Sequence, residues 1–344
     1  MVLTMNIIKR IVATGILIFG INLVYGQSKM LIGDKDDYWT LEDLATIYKD
    51  AGKYFLADSI YNEMIPVSKK YYGESGLEYA KVLSNLGKIR IEQQLYAGVE
   101  EMLKTSLSIK KQVAGECSME YAETLNILGV YYTFSGNIKA AETALVQASK
   151  IKLELKGSDD ISYVTSLIDL GTLKFMTREF SEAEQYYKKS VELGCIASEP
   201  LSFGGLMCLS SLYATMGKYP EAKVYVEQYI TAIRSSYPKE HPNYIAALTN
   251  LGGFQVVLSE YDEAEQTLLE SSALSLAAFG KKHNYYIHSL SGLSVLYSKT
   301  GQYEKAESVA EKSLSISKAL HGQNHPEIVR GLNNLAALYL KTGN

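Results

Sequence analysis

The stretch "NHPEIVRGLNNLAALYLKTGN" (residues 324–344) decides how the chain is read. Pro326 stands where the first turn of a helix loses nothing by lacking an N–H. Behind it Leu332, Leu335 and Leu338 recur every third residue, with small Ala336 alongside, and Gly343 stands where a left-handed helix end is wanted. The result is a helix with one apolar face and nothing after it to cover that face. Such a helix needs neighbours, and the same pattern occurs seven times upstream.

Taking Leu335 and its equivalents as reference, the series is Leu44, Leu86, Leu128, Leu170, Leu209, Leu251, Leu293 and Leu335, with separations of 42, 42, 42, 39, 42, 42 and 42 residues. Three residues earlier there is always another Leu, from Leu41 to Leu332. The next residue is always small (Ala45, Gly87, Gly129, Gly171, Ser210, Gly252, Ser294, Ala336), and a large apolar residue follows two places later. That spacing makes a helical stripe with a notch for a second helix.

Eight residues past five of the references come Gly52, Gly136, Gly217, Gly301 and Gly343. A second helix then opens on an aromatic residue or Ile, and three residues later carries a small contact residue (Ala57, Val99, Ala141, Ala183, Ala222, Ala264, Ala306). Unit boundaries repeat as well, in Gly73, Gly115 and Gly157 and in "HP" at His241-Pro242 and His325-Pro326. Tyr79, Tyr121, Tyr163, Tyr244 and Tyr286 stand at one register and are expected to wedge successive units together. A fixed period is the signature of a repeat architecture. The expected fold is all-α: a right-handed α-solenoid of antiparallel helix pairs, with about seven full repeats plus the first helix of an eighth. The units fall near 38–79, 80–121, 122–163, 164–202, 203–244, 245–286, 287–328 and 329–344.

The strings "LNNLAALYLKTG" and "LSVLYSKTGQYEKA" give the pattern L-x-x-L-[AG]-x-x-Y-x-x-x-G-x-Y-x-x-A, which resembles the tetratricopeptide repeat. With its 42-residue period, "HP" boundaries and "NNLA", the chain is similar to the kinesin-light-chain variety of that family. The resemblance implies a concave groove lined by the first helices, in which Asn residues one place before the reference leucines hydrogen-bond an extended peptide. Asn85, Asn250 and Asn334 match that ladder, while Asp43, Ile127, Asp169, Cys208 and Gly292 depart from it. Asn126 and Asn333 stand one place earlier and join the candidate groove residues.

The middle of this groove reads as apolar. Phe134, Phe175, Met176, Val256 and Val257 lie five or six residues past their references. Two readings stay open for them: packing on neighbouring helices, or a trough for the apolar side chains of a partner. Lys81 and Lys88 flank the trough on one side, and His288, Arg330 and Asn333 on the other.

Composition narrows the function. A net charge of −4, without a Lys/Arg cluster, argues against nucleic acid. The N-terminal "MVLTMNIIKRIVATGILIFGINLVYGQSKM" has Lys9 and Arg10, an apolar run from Ile11 to Val24, and small residues before Gln27. It fits a cleavable export signal at 1–26, followed by a short linker at 27–37, and so a periplasmic or extracellular protein with no membrane contact after cleavage; an uncleaved anchor is the rival reading. Cys117, Cys195 and Cys208 have no metal-site spacing. No HExxH, GxSxG or GxxxxGK[ST] motif occurs, and His241 and His325 read as helix caps. Neither a catalytic residue nor a metal or cofactor site is expected.

The expected activity is therefore non-enzymatic binding of a protein or peptide in the groove. The alternative is that these repeats are the sensing or docking region of a longer protein with an effector such as a caspase-like protease or a histidine kinase. The uncovered last helix leaves three explanations open: a fragment, end-to-end self-association, or a tolerated ragged end.

Overall fold

The computed structural model describes residues 35–50, 52–197, 203–234, 236–321 and 326–343. The expected export signal at 1–26, most of the expected linker, and His325 lie outside the described residues, as does the side chain of Cys195. Among the described residues there are fifteen α-helices and no strand. They pair as α1 (Lys35–Asp50) with α2 (Tyr54–Tyr72), α3 (Leu77–Glu92) with α4 (Val99–Ala114), α5 (Met119–Ser135) with α6 (Ile138–Lys156), and α7 (Ile161–Met176) with α8 (Phe180–Ala197). The series continues through α9 (Gly204–Thr215) and α10 (Tyr219–Ile233), α11 (Pro242–Val257) and α12 (Tyr261–Phe279), α13 (Asn284–Lys299) and α14 (Tyr303–His321), and ends in α15 (Pro326–Thr342).

The chain divides into two compact units between Glu116 and Cys117; the first holds α1–α4 and the second α5–α15. Every substantial helix–helix contact joins elements one or two places apart in the chain. In the second unit α5 also meets α7, α7 meets α9, α11 meets α13 and α13 meets α15, so first helices of neighbouring repeats lie side by side. This is an all-α helical repeat solenoid.

The notch after each reference leucine sets the spacing within a pair. A methyl group added to Gly87, Gly129, Gly171 or Gly252 would stand 2.6–2.8 Å from Leu103, Leu145, Tyr187 or Leu268 of the second helix. Ser210 and Ser294 take the same place by a different route. Their hydroxyls donate to the carbonyls of Ala222 (2.8 Å) and Ala306 (3.1 Å) across the gap. On the facing helix, Ala57, Val99, Ala141, Ala183, Ala222, Ala264 and Ala306 are all fully buried. Two stripe residues depart from the pattern: Ile47 is 43% and Leu332 47% exposed. Among the described residues no helix precedes α1 or follows α15 to cover them.

The turn inside each repeat uses one backbone conformation eight times. Gly52, Gly136, Gly217, Gly301 and Gly343 have φ between 69° and 83°, as their spacing predicts. Gln94, Arg178 and Ser259 stand at the same register with φ of 60°, 65° and 65°. These three accept the steric penalty of a Cβ in the left-handed region because the helix on either side is already held by packing.

Neighbouring repeats are joined by a polar latch that the apolar pattern does not show. Four residues past the reference, Arg90, Lys174, Tyr213, Tyr297 and Tyr339 reach back to a carboxylate on the previous second helix. The pairs are Arg90–Asp58 (3.0 Å), Lys174–Glu142 (3.1 Å), Tyr213–Glu184 (2.7 Å), Tyr297–Glu265 (2.8 Å) and Tyr339–Glu307 (2.7 Å). Lys174 also meets Glu179 and Glu182, and these partners, Glu179 foremost, raise its pKa. Between the fifth and sixth repeats the charges are reversed, with Lys223 on α10 bonding Glu260 at 2.5 Å.

Two substitutions test this account. Gly129→Val should lower stability by about 1–3 kcal/mol through overpacking against Leu145, with the loss of hydrogen-exchange protection concentrated near α5 and α6. Arg178→Gly should raise it by roughly 0.5–1 kcal/mol, read in urea titration, because the strained φ is relieved.

Candidate functional site

On a first helix, the residues one before, two after and six after the reference leucine share one face, which is open to solvent at some repeats and packed at others. In the first unit this face carries Asn85, half-buried, and Lys88, exposed, on α3. Lys81 lies four residues before Asn85, half-buried and close enough to Glu42 to oppose the rise in that carboxyl's pKa that burial causes.

In the second unit the same face carries Phe134 (44% exposed), Met176 (49%) and Val257 (50%), all six residues past their references. Ile127 and Asn250 lie on it one residue before theirs, half-buried and exposed. Val295 of α13 is 40% exposed two residues past its reference. The basic side chains Lys299, Arg330 and Lys341 are exposed on α13 and α15. Arg330 pairs with Glu327, which also lies 3.4 Å from His288.

For Phe175 and Val256 the structure favours the packing reading, and Asn126 needs correction. Phe175 is not a groove side chain: it packs against a core cluster of Ala183, Tyr187, Leu209 and Leu212, with its ring 5.9 Å from that of Phe180. Val256, at the equivalent place in α11, is 4% exposed. One residue along a helix turns the side chain by about 100°, so the fifth position enters the core and the sixth leaves it. Asn126 is 7% exposed, and it is fully engaged rather than offered to a peptide. Its Nδ2 donates to Asp169 Oδ2 at 2.6 Å, and its Oδ1 accepts from Lys152 Nζ at 3.0 Å, tying α5, α6 and α7 together. Asn333 shares the register of Asn126, which faces a second helix in other repeats; in α15 it is exposed. Asn334 is half-buried.

This polar joint was missed in the sequence because its members come from three helices. Burial and the neighbouring Asp169 push the Cys208 thiol up to about 12, so it stays protonated beside the cluster. Cys117 is exposed, and both thiols are free. Among the described residues no group of three or more His, Cys, Asp or Glu could hold a metal ion, and no helix is long and apolar enough to cross a membrane.

A tetratricopeptide-repeat family profile matches residues 120–194 and 254–319, the stretches that form α5–α8 and α12–α14 with their joints. These two stretches are tetratricopeptide repeats. Its fold is similar to that of BtubC (BKLC) from P. vanneervenii, with a TM-score of 0.53 and 21% identity over 61% of this chain and 84% of that one. It is also similar to a Signal Transduction ATPase with Numerous Domains protein, with a tetratricopeptide repeat sensor, from Pyrococcus horikoshii. There the TM-score is 0.58 at 15% identity, over 91% of this chain and 51% of that one. The Rap protein complexed with Competence and Sporulation Factor has a TM-score of 0.53 at 11% identity, covering 90% of this chain and 99% of that one. No curated protein sequence matches the chain. Tetratricopeptide-repeat proteins generally bind protein or peptide partners and are generally non-enzymatic scaffolds.

Asn126→Leu should cost about 1–3 kcal/mol, because it removes a partner from both buried Lys152 and Asp169, and thermal unfolding read by circular dichroism measures it.

Proposed function

We propose that this protein is a non-enzymatic scaffold that binds a protein or peptide segment along the exposed face of its first helices, as a concave groove. The supporting observation is that Phe134, Met176 and Val257 recur at one register and are about half exposed, although their immediate neighbours Phe175 and Val256 are packed. Apolar side chains held clear of the core at a fixed repeat distance offer hydrophobic contact to a partner. Asn250, with both a donor and an acceptor, and the basic Lys299, Arg330 and Lys341 offer polar contacts at one end.

Export by a signal at 1–26 is part of the same proposal, resting on the basic, apolar and small-residue order of that stretch. N-terminal sequencing of the protein from an envelope or culture fraction should begin at Gln27. The role of these repeats as the sensing part of a larger signalling protein is the second reading. It is favoured by the fold likeness to the ATPase with a tetratricopeptide repeat sensor, of which this chain spans about half.

The groove is tested by the double variant Met176→Asp/Val257→Asp beside Phe175→Asp. The double variant should keep the melting temperature within a few degrees and lose the partners captured by wild type from an envelope fraction. Phe175→Asp should lower the melting temperature, because it places a charge in the packed cluster. Capture unaltered in a folded double variant removes the groove proposal.

A further inference from the structure

Ten residues before the reference leucines of α3, α5, α7, α11 and α13 lies the residue that opens the helix, and its chemistry changes along the chain. In the second unit α5 opens on Ser118, whose Oγ accepts from the Tyr121 amide at 3.2 Å. α7 opens on Asp160, whose Oδ1 accepts from the Ser162 amide at 2.9 Å. Further along, α11 and α13 open on histidines. Nδ1 of His241 accepts from the Asn243 amide at 3.2 Å, and Nδ1 of His283 accepts from the Tyr285 amide at 3.3 Å. His325 stands at the same register in sequence. Each of the two described imidazoles is also stacked on an aromatic ring from the end of the preceding helix or the loop after it. His241 lies 3.9 Å from Tyr237, centroid to centroid, and His283 lies 4.4 Å from Phe279.

An imidazole accepts a hydrogen bond at Nδ1 only while that nitrogen carries no proton. We propose that His241 and His283 form an acid-sensitive release built into the sixth and seventh repeats: protonation breaks both helix caps and loosens the starts of α11 and α13, while α5 and α7 stay closed. Protonation does two unfavourable things at once. It replaces an accepted hydrogen bond with two N–H groups facing each other, and it puts a positive charge at the positive end of a helix dipole.

Of the charged groups around His283, His288 acts in the same direction. Lys281 and Lys282 precede His283, and His288 lies one turn into α13. Phe279 from α12 and Tyr285 from α13 contribute uncharged rings, and Glu327 of α15 lies 3.4 Å from His288, an ion pair only when that imidazole is protonated. Burial, and then His288, lower the His283 pKa from its ordinary value. A histidine with a lowered folded pKa binds protons more readily when unfolded. Its contribution to stability is therefore fully present above the unfolded value of about 6.5 and is lost as pH falls through the folded one. The ring stacks give a partial cation–π offset in the protonated state. The charged residues flanking His241 in the chain are Arg234, Lys239 and Glu240, with Glu270 of α12 bound to Lys239 at 3.0 Å. Asn250, Val257 and Val295 lie further along the same two helices, beyond the turns that the caps hold.

Hydrogen exchange of the full chain at pH 7.5 and 5.5, corrected for intrinsic rates, tests this beside the variant His241→Ser/His283→Ser, which installs the cap found at α5. Wild-type protection in the first two turns of α11 and α13 should fall by about tenfold at the lower pH, in keeping with loss of a cap. The variant should stay within about twofold there, as α5 and α7 should in both proteins. Equal losses in wild type and a folded variant, or no loss in wild type, overturn the proposal. Should the variant not fold, the His283 titration followed by NMR in wild type decides: a pKa at or above about 6.5 overturns it and a lower one supports it.

Discussion

The close approach of two helices at a residue too small to keep them apart is the constraint on which the rest depends. Gly129 admits Leu145, Gly87 admits Leu103 and Gly252 admits Leu268, each at a distance that a methyl group would turn into a clash. That contact fixes the pair as a unit. The unit then has two remaining apolar faces, one for the previous repeat and one for the next, so it is stable only when stacked. Ser210 and Ser294 show that geometry rather than glycine is what the position requires, since a hydroxyl fits there when it can donate to the opposite backbone.

Stacking needs direction as well as affinity, and the polar latch supplies it. A tyrosine, lysine or arginine at one register meets a carboxylate one repeat back, and burial together with Glu265 lifts the Tyr297 hydroxyl to about 12, holding it as a donor. The joint therefore combines non-directional apolar burial with a hydrogen bond whose register fixes how one repeat sits on the next.

Beyond the core, the same periodicity separates support from surface. Phe175 and Met176 are adjacent in sequence and equally apolar, yet one joins the packed cluster and the other lies half in solvent. Asn126 and Asn250 are both amides on first helices, yet one is bound by Lys152 and Asp169 and the other faces outward. Residue type alone does not distinguish these cases; the angular position on the helix does.

The sequence by itself determined the helix pairs, their number, the notch, and most of the turns, because apolar spacing and small residues act locally and repeat with the chain. It also placed His241 as a cap from its position before Pro242. Only the tertiary structure decided that Gln94, Arg178 and Ser259 take up the glycine conformation, that Asn126 belongs to a joint, and that the chain divides into two compact units at Glu116 and Cys117. Those outcomes depend on which side chains from other helices occupy the space around a residue. That occupancy is set by three-dimensional packing, and a one-dimensional period carries no record of it.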